Sequence, residues 1–207
     1  MFLVTNLIFK RSEKIIFNNV GLSLSPNKLI QIRGRNGIGK TTLIKVLANI
    51  MPADEGDIFW NGKNILKNND IFYKNLTLIM DTNSSKLDMT VLENIKYWKN
   101  IFSSEINIET INKILNVLSL SNYKNVMVNN LSAGEKRRLE ITRLIIERKQ
   151  LWILDEPYLN LDDTGIQTLD QTLKNHIQNG GMAIFSSHYQ PEIPGIETLE
   201  LENYATN

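Results

Sequence analysis

The fold is decided by the stretch Gly34-Arg35-Asn36-Gly37-Ile38-Gly39-Lys40-Thr41-Thr42. The stretch Leu29-Ile30-Gln31-Ile32 before it is typical of a short buried strand, and apolar residues recur at helical spacing after it, as far as Met51-Pro52. Glycines leave no Cβ in the way of backbone N–H groups that converge on an anion, and a helix N-terminus adds the positive end of its dipole. This context predicts a phosphate-binding loop rather than a simple connecting turn.

The side chains at the end of this loop suit a bound nucleoside triphosphate. We predict that residues 34–42 together hold the nucleotide. The Lys40 ammonium would reach the β- and γ-phosphates, and the Thr41 hydroxyl would bind Mg²⁺.

Length and composition limit the class of protein. The 207 residues are enough for one α/β domain and too few for two, so we expect residues 1–207 to form a single domain. A net charge of +1 gives no reason to expect a nucleic-acid partner, and the absence of cysteine excludes disulfides and thiolate metal sites. No apolar run approaches the roughly 18 residues of a transmembrane helix, so we expect no membrane span.

A second informative stretch is Leu131-Ser132-Ala133-Gly134-Glu135. Ser132 followed three residues later by Glu135 is a capping box, which predicts a helix that begins near Ala133. Because Gly134 leaves the first turn bare, this helix start is a candidate for a second anion site; a plain capped helix is the alternative. The following run, Lys136-Arg137-Arg138, is more typical of a solvated helix face than of a nucleic-acid patch.

The apolar run at residues 151–154 is typical of a strand buried on both faces of a parallel sheet, and it ends in Asp155-Glu156. Buried carboxylates without partners are costly, so we expect both to face a site rather than solvent. Asp155 suits Mg²⁺, and Glu156 suits orienting or deprotonating an attacking water.

A further apolar strand, at residues 182–185, is followed by Ser186-Ser187-His188. A lone histidine at a strand end is usually structural. This strand is expected to lie beside the one that ends in Asp155, so contact between His188 and a γ-phosphate is the sharper prediction. His176, within a helical pattern and without a motif around it, is expected to be structural.

These motifs, in this order, resemble those of the nucleotide-binding subunits of ATP-binding cassette transporters. Residues 34–42 are similar to the family's Walker A motif, 131–135 to its signature motif, 151–157 to Walker B with its glutamate, and 186–188 to the switch histidine. The resemblance implies an α/β fold with a P-loop NTPase (RecA-like) core and a mainly parallel sheet. It also implies an N-terminal antiparallel β-subdomain and an α-helical subdomain at about residues 84–140.

The resemblance further implies a head-to-tail homodimer that binds ATP and Mg²⁺ at its interface. Each ATP would lie between the Walker A loop of one subunit and the signature helix of the other. The residues that would bind the partner's nucleotide are Ser132, Ala133, Gly134 and Glu135. Asp162 matches the last aspartate of the family's D-loop, which crosses the interface.

The chain departs from the family pattern at three places. Arg11 stands where the family usually has an aromatic residue that stacks on adenine, and a guanidinium can also stack on a base. Asp81-Thr82 stands where the Q-loop glutamine is expected, which puts metal contact and coupling to a membrane partner in doubt. Glu135 replaces the usual signature glutamine, and would place an acid near phosphate unless it is used in the cap.

Within the family, the short length, the signature followed by Lys136-Arg137-Arg138, and residues 151–157 look most like the ATP-binding subunit of the cytochrome c maturation system. That resemblance implies polytopic membrane subunits as partners and a function in haem export or in release of a haem-loaded chaperone. It implies a peripheral location on the cytoplasmic face of a bacterial inner membrane or the matrix face of a mitochondrial one. The alternatives are another export substrate, a non-transport ATP switch, or a subunit with impaired hydrolysis.

Overall fold

The structure is a computed structural model that describes residues 1–205. Along the chain its strands and helices are β1 (Phe2–Arg11), β2 (Lys14–Leu24), β3 (Lys28–Arg33), α1 (Lys40–Leu47), β4 (Glu55–Trp60), β5 (Lys63–Asn64), α2 (Asn69–Lys74), β6 (Leu76–Ile79), α3 (Val91–Ile101), α4 (Ile108–Val117), α5 (Ala133–Glu147), β7 (Leu151–Asp155), α6 (Asp163–Gln178), β8 (Met182–Ser186) and β9 (Ile196–Glu200). Short 3₁₀ turns lie at Ser121–Tyr123, Val128–Asn130 and Leu201–Tyr204.

The larger sheet is parallel and has the strand order β6-β7-β8-β3-β9. All residues of β7 and β8 are buried, because apolar side chains cover both faces of these strands. In β7, Leu151 and Ile153 belong to the core on the α1 side, whereas Trp152 and Leu154 belong to the core formed with α3 to α6. The alternation of side chains along a strand thus explains why the whole run is apolar.

The smaller sheet is antiparallel and has the strand order β2-β1-β4-β5. It shares one core with α1 and one face of the parallel sheet. The helices α3, α4 and α5 cover the other face and follow β6 in the chain. The predicted fold class is therefore confirmed, while the single domain at 1–207 and the subdomain bounds at 84–140 stay predictions.

The first helix is shorter than the apolar spacing predicted. It ends at Leu47, because Asn49 takes a left-handed conformation, with φ of 56°, and Ile50 is exposed. Within residues 1–205, no helix is both long enough and apolar enough to cross a membrane.

His176 has a structural environment, in agreement with its sequence context. Its ring lies flat against Trp152, with 3.5 Å between ring centroids, and Nε2 is 3.2 Å from the Met182 carbonyl oxygen. A Cβ on Gly181 would collide with the imidazole ring, so this position requires glycine. Burial lowers the pKa of His176 from 6.5 to about 4, which keeps the folded imidazole neutral.

Replacing this imidazole should flatten part of the pH dependence of stability. Between pH 4 and 6.5 the unfolded chain binds a proton at His176 that the folded chain does not, so stability falls as pH falls through this window. His176→Phe keeps a ring against Trp152 but cannot titrate. Its free energy of unfolding in urea should fall about 2 kcal/mol less than that of the wild type between pH 7 and pH 5. Equal losses in both proteins would contradict the assignment of a neutral His176.

Candidate functional site

The loop between β3 and α1 lies at the carboxyl-end edge of the parallel sheet. Gly39 has φ of 116°, and a Cβ there would lie 2.6 Å from the Ile16 side chain, so both conformation and space require glycine. Gly39 is also the N-cap of α1, and it offers no side-chain cap; the first turn of α1 holds no acidic residue. The N–H groups of this helix start therefore have no competing anion from their own turn.

The Lys40 side chain folds back over this loop. It is buried, and its ammonium donates to the Gly34 carbonyl at 2.8 Å and, more weakly, to the Arg35 carbonyl at 3.4 Å. Glu156 Oε1 lies 3.9 Å from the same nitrogen. A phosphate oxygen would offer Lys40 a stronger, charge-assisted hydrogen bond than these backbone carbonyls do.

His188 joins this cluster from the segment after β8. Its Nε2 lies 3.0 Å from Lys40 Nζ, 2.6 Å from Asn36 Oδ1 and 3.8 Å from Glu156 Oε1. A single ring nitrogen therefore faces a donor and an acceptor, and its tautomer decides which hydrogen bond forms. Residues predicted from three separate motifs are thus brought together at one sheet edge.

Asp155, at the end of β7, is fully buried. Its Oδ1 accepts a hydrogen bond of 2.6 Å from the Ser186 hydroxyl, whereas Oδ2 has no hydrogen-bond partner among the described residues 1–205. A buried carboxylate oxygen without a partner is costly, and a bound cation would remove that cost. The donor set therefore fits Mg²⁺, a hard cation that prefers carboxylate and hydroxyl oxygens.

Two residues to which the sequence motifs assigned no role shape this site. The Ser186 hydroxyl accepts from the Glu156 N–H at 3.0 Å while donating to Asp155, so it links the two carboxylate residues. The Glu202 carboxylate accepts from the Arg35 N–H at 2.7 Å, and this hydrogen bond lowers the pKa of Glu202. Its neighbour Leu201 is buried, so the 3₁₀ turn at Leu201–Tyr204 is packed against the loop. No local motif marks Glu202.

The helix start at Ser132 has the predicted capping box. The Ser132 hydroxyl accepts from the Glu135 N–H at 3.2 Å, and the Glu135 carboxylate accepts from the Ser132 N–H at 2.7 Å. A hydrogen bond from Tyr123 and these cap contacts lower the pKa of Glu135. The acid is therefore held by its own chain. Within residues 1–205, no hydrogen bond or ion pair joins residues 132–135 to the loop at 34–42.

The signature stretch instead contacts the segment that follows β7. A Cβ on Gly134 would lie 2.7 Å from the Asn160 carbonyl oxygen. Asp162 accepts hydrogen bonds of 3.1 Å from Arg138 at both carboxylate oxygens, and it caps α6 by accepting from the Gly165 N–H at 2.9 Å. That cap is the main reason that the pKa of Asp162 is lowered. Asp162 thus has a structural role within one subunit.

Three remaining predicted positions lie on the surface. Arg11 is exposed at the end of β1 and pairs with Lys14 across the β1–β2 turn. A cavity of about 340 Å³ adjoins the loop, and Arg11 does not line it; its lining residues are Lys14, Ile15, Ile16, Arg35, Asn36, Gly37, Ile38 and Ala205. Asp81 and Thr82 are exposed just after β6. Adenine stacking by Arg11 stays a prediction.

A comparison with known protein families shows to which family the chain belongs. The family model described as "ABC transporter" matches residues 17–159, more than half of the chain. The chain belongs to the ABC transporter family. It is therefore an ABC-type ATPase that binds ATP, as the motifs implied.

The curated relatives narrow the similarity within the family. The chain is 37% identical over 185 residues to the cytochrome c biogenesis ATP-binding export protein CcmA of Vibrio vulnificus strain YJ016, with 89% of this chain and 90% of the relative covered. It is 40% identical over 188 residues to the CcmA of Reclinomonas americana, with 89% and 83% covered. The predicted resemblance to this branch of the family is confirmed.

Solved structures share the fold at low sequence identity. A protein from Pyrococcus furiosus, described as an ABC transporter ATP-binding protein, superposes with a TM-score of 0.86 at 20% identity and covers 99% of both chains. The ATP-binding cassette MJ0796, a dimer in a post-hydrolysis state with ADP and Pi, has a TM-score of 0.76 at 22% identity, with 91% of this chain and 88% of that one covered.

The Ser186 link between Asp155 and Glu156 predicts a loss of turnover when the hydroxyl is removed. Ser186→Ala should lower kcat for ATP hydrolysis roughly ten- to a hundredfold, since hydrogen bonds to charged groups contribute about 1.5–3 kcal/mol. The control is Ser187→Ala, which removes a neighbouring buried hydroxyl that accepts from the Tyr189 N–H. Steady-state phosphate release measures both variants, and equal rates for the two would count against this role of Ser186.

Proposed function

We propose that the chain is the ATP-hydrolysing, energy-coupling subunit of a membrane export complex that acts in c-type cytochrome biogenesis. The observation that carries the ATPase assignment of these residues is the convergence of the uncapped start of α1, Lys40, Asp155 and Glu156 at one edge of the sheet. The similarity to CcmA proteins over about nine-tenths of the chain supports the biological system.

In this proposal residues 34–42 hold the triphosphate of ATP, and Lys40 exchanges its carbonyl contacts for β- and γ-phosphate oxygens. Thr41 and Asp155 would hold Mg²⁺, which would neutralise charge on the phosphates. Glu156 orients the attacking water and accepts its proton as the water oxygen bonds to the γ-phosphorus. ADP leaves with the bridging oxygen. His188, already beside Lys40, contacts the γ-phosphate.

The second half of the site comes from another copy of the chain. The start of α5 is exposed and lies apart from the loop in its own subunit, so Ser132, Ala133, Gly134 and Glu135 would act on a nucleotide held by the partner. Asp162 lies beside this helix start through Arg138, which would bring it to the same interface. Arg11 would stack on the adenine of the nucleotide in its own subunit.

The partners in this proposal are polytopic membrane subunits of the cytochrome c maturation system. The chain would be peripheral on the cytoplasmic face of a bacterial inner membrane or the matrix face of a mitochondrial one. Its transport role would be haem export or release of a haem-loaded chaperone. The balanced charge gives no reason to expect nucleic acid. The other class of function, a non-transport ATP switch, would instead require a nucleic-acid or ribosomal partner.

Glu156→Gln should lower kcat by a factor of roughly 10²–10⁴, because an amide cannot accept the proton of the attacking water. ATP binding should persist, so that size-exclusion chromatography with ATP shows a stable dimer. The matched control is Glu109→Gln, an exposed carboxylate in the first turn of α4, and it should behave as the wild type. Full turnover in Glu156→Gln would remove the proposed catalytic base.

The biological partner is tested by affinity purification from the native host membrane. The proposal expects a polytopic membrane protein to be retained with the wild-type chain and identified by mass spectrometry. Binding to RNA or DNA that weakens steeply with added salt, without a membrane subunit, would favour the switch function instead.

A further inference from the structure

The backbone of Glu156 is held in an uncommon conformation. Its φ is 44°, in the left-handed region that non-glycine residues rarely adopt and that costs on the order of 1 kcal/mol or more. A side chain in such a position persists only when its surroundings hold the backbone in place. The Ser186 hydroxyl accepts from the Glu156 N–H at 3.0 Å, and the Leu159 N–H donates to the Glu156 carbonyl at 3.1 Å, so a turn of the chain itself holds part of this conformation.

The Glu156 carbonyl also accepts a hydrogen bond from Arg137. The basic run Lys136-Arg137-Arg138 had predicted that this side chain lies on a solvated helix face. This is a correction: the Arg137 side chain is buried, with 3% of the residue exposed. Its Nη2 donates to the Asp155 carbonyl at 2.8 Å and to the Glu156 carbonyl at 2.7 Å, and its Nε donates to the Pro157 carbonyl at 3.1 Å. One guanidinium therefore binds three consecutive carbonyls around the strained residue.

The same guanidinium reaches a second segment of the chain. Its Nη1 donates to the Met80 carbonyl at 2.7 Å, directly before the exposed residues Asp81 and Thr82. Within residues 1–205, Arg137 forms no salt bridge, and its hydrogen bonds all go to backbone carbonyls. Burial lowers the pKa of Arg137, and the negative charges of nearby carboxylates oppose this; they are Glu140, Asp155, Asp81 and Glu156. Burying a charge in this way is costly, and an apolar side chain could fill the space without that cost.

A second residue of α5 holds the far end of the exposed segment. Glu140, one turn after Arg137, is buried and accepts from the Ser84 N–H at 2.8 Å and from the Ser85 N–H at 2.7 Å. Side chains of α5 therefore hydrogen-bond to the backbone at residue 80 and again at residues 84–85, while residues 81–84 remain exposed. A displacement of this segment would be carried by α5 to the carbonyls around Glu156.

We propose that Arg137 is a positioning residue that holds Glu156 in its catalytic conformation and couples it to the exposed segment at residues 81–84. The coupling rests on the function proposed above. Because its acceptor is the backbone carbonyl of Met80, directly before that segment, the link does not depend on the side chains at 81 and 82. It therefore offers a connection between the surface and Glu156 in a chain that has Asp81-Thr82 in place of the Q-loop glutamine.

Arg137→Lys tests this proposal. A lysine keeps the charge, but its single ammonium cannot span both segments as the planar fork does. We expect kcat for ATP hydrolysis to fall at least tenfold, while the Kd for ATP, measured with a fluorescent ATP analogue, stays within threefold of wild type. Arg137→Gln, which is neutral and has two donors on one nitrogen, should show the same separation of kcat from affinity.

The control for a purely structural effect is Thr77→Val. Thr77 is buried and donates from its hydroxyl to Glu147 at 2.8 Å, so this variant removes a hydrogen bond between β6 and α5 away from Glu156. It should lower the melting temperature and leave kcat unchanged. An Arg137→Lys enzyme with lowered melting temperature and a kcat within twofold of wild type would overturn the proposal. A parallel loss of kcat and ATP affinity would overturn it as well.

If neither Arg137 variant folds, Glu140→Ala tests the coupling between the segment at residues 81–84 and Glu156. It releases the Ser84 and Ser85 N–H groups while leaving Arg137 in place. We expect kcat to fall at least threefold with ATP affinity retained, and full kcat in this variant would overturn the coupling. A wild-type chain without ATPase activity would instead overturn the proposed function. Activity in the wild type, together with unchanged activity in the Arg137 variants, overturns the positioning role alone.

Discussion

The parallel register of three strands is the constraint on which the rest of the structure depends. β8 pairs with β7 on one side and β3 on the other, so the carboxyl ends of all three meet at one edge of the sheet. The loop with Lys40, the carboxylates of Asp155 and Glu156, and His188 all follow these strand ends. Residues far apart in sequence come within 4 Å of one another only because apolar side chains on both faces fix this register.

At this edge of the sheet, hydrogen bonds within the protein hold the charged residues in place. Asp155 is buried with one oxygen bonded to Ser186, and its other oxygen has no hydrogen-bond partner within residues 1–205. Glu156 is held in a left-handed conformation between Ser186 and Arg137. Pre-organised dipoles and donors of this kind contribute to catalysis because they need no rearrangement as charge develops. The Ser132 helix start is different: it is exposed and capped, and within the described residues 1–205 no hydrogen bond or ion pair joins it to the loop at 34–42.

The sequence predicted those features whose information is local. A strand, a glycine-rich loop and a helix are adjacent in the chain, and the Ser132–Glu135 capping box needs only four residues. Glu202 could not be predicted, since its contact with Arg35 joins residues 167 positions apart. Arg137 did carry a signal: it lies four residues before Ile141 and seven before Leu144, both buried, so the helical period places it on the inward face. Its position within a basic run concealed that signal.

The proposed function makes the site at Lys40 half of a composite site that a second copy of the chain completes. It is tested most directly by mixing two inactive variants, Lys40→Ala and Ser132→Arg, and measuring ATP hydrolysis. In a mixed dimer one interface pairs an intact loop with an intact signature helix, so activity should reappear, up to about a quarter of the wild-type rate for random pairing. If the mixture stays as inactive as the separate variants while both bind the wild-type chain, the composite site is contradicted.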